Sequence, residues 1–74
     1  MTDRILYASD IIDSHIRTLR ALLTDGINLA TTACEHLQRD ERLAAVGTIL
    51  PIQDLLAHAT AIHAVILLLN RQRG

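Results

Sequence analysis

The sequence predicts an all-α protein: an antiparallel helical hairpin, its second arm kinked or split near Gly47–Pro51, dimerising into a four-helix bundle. Three observations predict it. Ile5, Ser9, Ile12, Ile16, Leu19, Leu23, Gly26, Ala30, Ala33 and Leu37 follow one another at alternating four- and three-residue intervals. That spacing puts them on one stripe of a helix. A polar run, Gln38 to Arg42, then separates this stripe from a second one: Ile52, Leu55, Ala59, Ile62, Ile66 and Leu69. Finally, Val65 to Leu69 is apolar on every side of a helix. Such a segment must be surrounded, and one hairpin cannot surround it.

The first helix is expected over about 3–38, with Thr2 or Asp3 capping its first turn. Beside the main stripe lies a second seam of Ala8, Ile11, Leu22 and Leu29, interrupted by His15, Thr18, Asp25 and His36. An apolar face this wide touches more than one neighbour, as in a bundle. Asp25-Gly26 is the weak point, because Asp-Gly signals a turn and glycine costs about 1 kcal/mol in a helix interior. The four-three phase nevertheless continues across it. Leu23, Ile27, Ala30, Cys34 and Leu37 form an equally good stripe after the glycine, so a kink or rotated face is the alternative to a continuous helix. In a continuous helix Gly26 would admit a close approach of another helix.

The turn is expected at about 39–41, with Asp40 as N-cap of a helix starting at Glu41, whose charge suits the first turn. The alternative is that the polar run is the solvated face of one long helix. The second arm is expected over about 41–70. Pro51 removes a backbone donor and clashes with the preceding turn. Either the arm kinks there, or Thr48 caps a fresh helix with Pro51 in its first turn.

Seventy-four residues make a single domain that is marginal alone. One cysteine closes no internal disulfide, and no cysteine–histidine spacing resembles a zinc site. Oligomerisation is the remaining route to stability. Hydrophobic residues are 50% of the chain, yet Tyr7 is the only aromatic, which suits helix-on-helix layers of aliphatic side chains. Net charge is −1 and the arginines are scattered, so no basic stripe favours nucleic acid. The N-terminus lacks a signal-peptide pattern and the lone cysteine fits a reducing compartment, so a cytoplasmic protein is expected.

Candidate chemistry is sparse. His58 and His63 lie about 140° apart around a helix, and His15 and His36 roughly 31 Å apart along one. His58 is expected at the surface, paired with Asp54 at i,i+4. His15, His36 and His63 are expected at the edge of a core. Cys34 and His36 diverge on a helix, which argues against a nucleophilic dyad and for a small buried hydrophobe at Cys34. Asp10 and Asp13, beside Arg17, read as a solvated face rather than an acid–base pair. No phosphate loop or nucleophile motif occurs. No enzyme, cofactor, metal or small-molecule substrate is expected. Ile49 to Leu69 is long enough to span a membrane. However, it carries Pro51, Gln53, Asp54, His58 and His63, and its cleaner part, Leu55 to Leu69, has only 15 residues. Arg71 and Arg73 would suit a cytoplasmic flank. A buried bundle helix explains the same residues without placing Asp54 in lipid.

The segment Ala8-Ser9-Asp10-Ile11-Ile12, with an alanine-rich second helix after an arginine-containing turn, resembles short uncharacterised two-helix proteins of pseudomonads and related bacteria. The resemblance covers about half of the chain and implies a helical fold and a bacterial origin. It brings no active site. Pro51 and the apolar tail Val65–Leu69 depart from that pattern.

The expected function is that of a small non-enzymatic interaction module, an adaptor, chaperone-like partner or regulator, acting as a homodimer that binds another protein. The alternative is a small membrane-associated protein anchored through residues 52–69. The expected interface is Ile12, Ile16, Leu19, Leu22, Leu23, Leu29, Ile62, Val65, Ile66, Leu68 and Leu69.

Overall fold

A computed structural model describes the backbone of residues 2–73 and the side chains of residues 9–72. Three helices make two arms: α1 (Thr2–Gln38), α2 (Arg42–Ile49) and α3 (Ile52–Arg73), with no strand among the described residues. The expected caps Thr2 and Asp3, the stripe member Ile5 and the seam member Ala8 have side chains outside the described residues.

α1 is continuous for 37 residues and runs straight through Asp25-Gly26. A helix of that length measures about 55 Å, which accounts for the long axis of a rod 59 × 15 × 13 Å. The apolar phase on both sides of Gly26 outweighs the roughly 1 kcal/mol cost of glycine. No glycine among the described residues has positive φ.

The turn corrects one expectation. Asp40 does not cap the second arm. It takes the left-handed conformation, φ 59, and terminates α1. The Glu41 N–H donates to the His36 carbonyl at 2.9 Å and the Asp40 N–H to the Leu37 carbonyl at 3.1 Å. These are the two bonds of a Schellman motif, which satisfies carbonyls at a helix end and usually places glycine where Asp40 stands. Glu41 is then the N-cap of α2, without a side-chain capping bond. Its carboxylate folds back instead, accepting from His36 Nδ1 at 3.3 Å with Arg39 Nη1 3.6 Å away.

The second arm bends rather than separating into two independent helices. Leu50 stays in the right-handed helical region, φ −53 and ψ −42, although proline disfavours that region for the residue before it. Thr48 starts no new helix. It lies within α2 and its hydroxyl donates to the Ala44 carbonyl at 2.8 Å. Beyond the joint the Leu55 N–H reaches the Pro51 carbonyl at 3.2 Å.

α1 packs against both α2 and α3. From Ile12 to His36 every shielded residue falls on one row: Ile12, His15, Leu19, Leu22, Gly26, Leu29, Ala33 and His36. The second arm answers with Ala45, Thr48, Ile52, Leu55, Ala59, Ile62, Ile66 and Leu69, in unbroken three-four phase through Pro51. Gly26 stands opposite Leu55, since a methyl built there would lie 3.6 Å from Leu55 Cδ2. Ala33, Ala45 and Ala59 are buried in this seam together with Ile12 and Ile62. Small residues on both sides bring helices close.

Candidate interaction surface

The covered row of α1 is not the sequence's most apolar stripe. Ile12, Leu19, Gly26 and Ala33 of that stripe face the second arm, whereas Ile16, Leu23, Ala30 and Leu37 are exposed. The contact line takes its remaining members, His15, Leu22, Leu29 and His36, from the flanking seam. Apolar demand on α1 is therefore wider than one partner arm can cover.

What remains bare has a regular position. Moving each covered row by one residue, about 100° around the helix, gives Ile16, Leu23, Ile27, Ala30, Cys34 and Leu37 on α1. On the second arm it gives Val46, Ile49, Leu56 and Leu67. Eight of the twelve exposed large aliphatics among the described residues lie on these two rows. The exposures are substantial: Ile27 is 65% exposed, Leu37 52% and Leu56 51%. Ala30, Val46, Ile49, Leu50, Ile52 and Gln53 together line a shallow groove of about 470 Å³ between the arms. Both rows thus open onto one face of the hairpin. Polar residues punctuate it at Asp13, Arg20, Gln53, Thr60, His63 and Asn70.

Moving the covered rows one residue the other way gives the opposite face. On α1 it reads Ile11, which is half-buried, and then Ser14, Thr18, Ala21, Asp25, Asn28, Thr32 and Glu35, all exposed. On the second arm Val65 and Leu68 are its only exposed large aliphatics. The hairpin therefore has an apolar face and a mainly polar one.

The eleven expected interface residues divide accordingly. Ile12, Leu19, Leu22, Leu29, Ile62, Ile66 and Leu69 lie in the seam between the arms. Ile16 and Leu23 are exposed on the apolar face, and Val65 and Leu68 on the opposite side. Sequence reasoning did not single out Ile27, Leu37, Val46, Ile49 and Leu56, which the structure leaves exposed. For Ile27 and Leu37 the signal was the second stripe after Gly26.

The titratable residues are dispersed. His15 is half-buried in the seam, its Nδ1–H donating to the Ile11 carbonyl at 2.9 Å. His36 is half-buried at the turn, while His58 and His63 are exposed. The expected Asp54–His58 pair is not formed; the ion pairs among the described residues are His36–Glu41 and Arg39–Glu41. Cys34 is exposed rather than buried, because it stands one residue past buried Ala33 and so points about 100° away from the seam. Among the described residues no three His, Cys, Asp or Glu side chains converge as metal ligands. The second arm, Arg42–Gln72 taken through its bend, holds an 18-residue window of mean hydropathy 1.7 and is long and apolar enough to cross a membrane.

No protein-family model, no curated protein and no solved structure matches this chain.

Proposed function

We propose that the chain is a non-enzymatic protein–protein interaction module, an adaptor, chaperone-like partner or small regulator, that works as a homodimeric four-helix bundle in the cytoplasm. The observation behind it is the bare apolar face. A compact monomer of this mass exposes about 4,500 Å², and this chain exposes 5926 Å². Its radius of gyration is 17.1 Å, where a globule of this length has about 11 Å. The difference in area, roughly 1,400 Å² per chain, doubles to a value inside the range of about 2,000–5,000 Å² buried by obligate homodimers. A helical surface of this kind binds by laying apolar side chains into a groove.

The reading is tested by solution mass. Purified without detergent, the protein should scatter light as about twice 8.2 kDa across micromolar concentrations. A well-folded helical monomer refutes it.

The hydropathy of Arg42–Gln72 favours a second reading, a membrane-associated protein anchored through residues 52–69. Only 11% of the apolar window is buried against α1. Insertion of that arm would strip Ala45, Ala59 and Ile62 from their seam and carry Asp54 into lipid. Recovery of the protein only in the detergent-extracted membrane fraction would establish this reading over the first.

A further inference from the structure

We infer that the second copy of this chain docks on the rows displaced by one residue from the hairpin seam, with Ile27 and Leu56 inside the contact and Val65 and Leu68 outside it. The inference rests on the homodimer proposed above and assigns its face.

Angle supplies the first argument. In a square four-helix bundle each helix touches two neighbours at about a right angle, and its most apolar line points between them, at the bundle centre. On α1 the covered row and the bare row are about 100° apart. The stripe that runs Ile12, Ile16, Leu19, Leu23 lies midway between them. It points at the second arm no more than it points at solvent. That is the orientation of a bundle helix with one of two neighbours in place.

Breadth supplies the second. The bare face draws on both arms, so its occupant must cover two helices at once, as another hairpin does. Polar members of the rows argue against lipid as that occupant. Asp13, Arg20, Gln53, Thr60, His63 and Asn70 interrupt the apolar face at intervals. Polar residues at a helix–helix seam can reach the edge or fix register, whereas lipid offers them no partner.

The opposite face supplies the third. Apart from Val65 and Leu68 its exposed aliphatics are alanines, and Asp25, Asn28, Glu35 and Asp54 stand among them. Packing that face against a copy of itself would desolvate three carboxylates, Asp25, Glu35 and Asp54, with no arginine on the same rows, whereas the apolar rows carry one charge of each sign, Asp13 and Arg20.

The test compares Ile27→Glu and Leu68→Glu in the full chain by sedimentation equilibrium from about 1 to 100 μM, with circular dichroism alongside. Ile27→Glu should raise the dimer dissociation constant at least about a hundredfold, and Leu68→Glu should leave it within about threefold. Thiol labelling tests the wild-type fold directly, and so decides the matter should Ile27→Glu fail to fold. Cys34 should react with a maleimide at least about tenfold more slowly than the thiol of Cys34→Ser/Asn28→Cys, which lies on the polar face. A dimer in which Cys34 labels as fast as residue 28, or which Leu68→Glu dissociates and Ile27→Glu does not, overturns this assignment and leaves the homodimer standing. A wild-type monomer overturns both, including one that sediments with phosphatidylcholine vesicles.

Discussion

Replacing Gly26 by alanine measures how closely the two arms approach. Gly26 lies inside α1, about two thirds of the way along it, with no positive φ to forbid a side chain. The added methyl would lie 3.6 Å from Leu55 Cδ2 and 4.0 Å from Cδ1. Those are ordinary van der Waals distances, and the neighbour is a flexible side chain rather than backbone. The approach expected at Gly26 therefore leaves room for one carbon. Removing glycine from the helix interior contributes about 1 kcal/mol. The methyl adds part of the roughly 0.8 kcal/mol of a buried CH₂, because the site is only half-shielded. The sum is about 1–1.5 kcal/mol of added stability, or roughly 5–10 °C in Tm for a domain of this size. Gly47→Ala is the control: nothing lies within 4 Å of the added methyl, so the helix-propensity gain of about 1 kcal/mol acts alone. Thermal melts by circular dichroism at one fixed protein concentration should rank Gly26→Ala at or above Gly47→Ala, and both above wild type. A Gly26→Ala protein less stable than wild type would mean that the arms meet backbone to backbone at this level, and the seam derived from Leu55 would be wrong.

Four further outcomes follow from the same geometry. Asp40→Gly should stabilise by about 1 kcal/mol, since an L-residue with left-handed backbone costs that much relative to glycine; urea titration reads it, and no change would deny the Schellman turn. Pro51→Ala should stabilise by roughly 1–2 kcal/mol, the restored helix outweighing the lost rigidity of the unfolded chain; a lower denaturation midpoint would show that the bend itself is needed to lay α2 on α1. Leu19→Asp buries an unpaired charge in the seam at a cost of several kcal/mol, enough to abolish folding of a marginal domain. If its helical circular dichroism persists, the seam is not the core. Chelator should leave Tm unchanged within about 1 °C, because the four histidines are dispersed; a large loss restored by zinc would reveal a metal site between subunits.

Helix α1, the turn position and the apolar phase of the second arm were legible because each is carried by spacing repeated over several turns. The features that misled are local. Asp40 reads as an N-cap because aspartate is common at both ends of helices. Its left-handed backbone comes from reversing the chain within Arg39–Glu41, which composition does not encode. Thr48 bonds back to Ala44 instead of capping, and Asp54 does not meet His58. In each case the residue type permits two roles and neighbouring backbone selects one. Cys34 illustrates the limit of periodicity. It is one residue from buried Ala33, and a single step around a helix separates the core from the surface.

The position of the bare stripe has a deeper reason. Periodicity in a sequence reports the sum of all apolar demands on a helix, including demands from partners outside the chain. On α1 that sum points along Ile12, Ile16, Leu19 and Leu23, while the second arm lies to one side of it. A helix packed on one neighbour needs two zones, apolar and polar. α1 has three: a shielded row, a bare apolar row about 100° from it, and a polar arc carrying Asp25, Asn28 and Glu35. The second arm repeats the first two zones on the same face of the hairpin, so the bare rows of both arms converge. Two helices whose surplus apolar rows meet on one face offer a surface that draws on both. The angle of about 100° between shielded and bare rows is close to the right angle between neighbours in a square four-helix bundle, and it is this angle that favours the proposed second hairpin over a single helix nested in the groove.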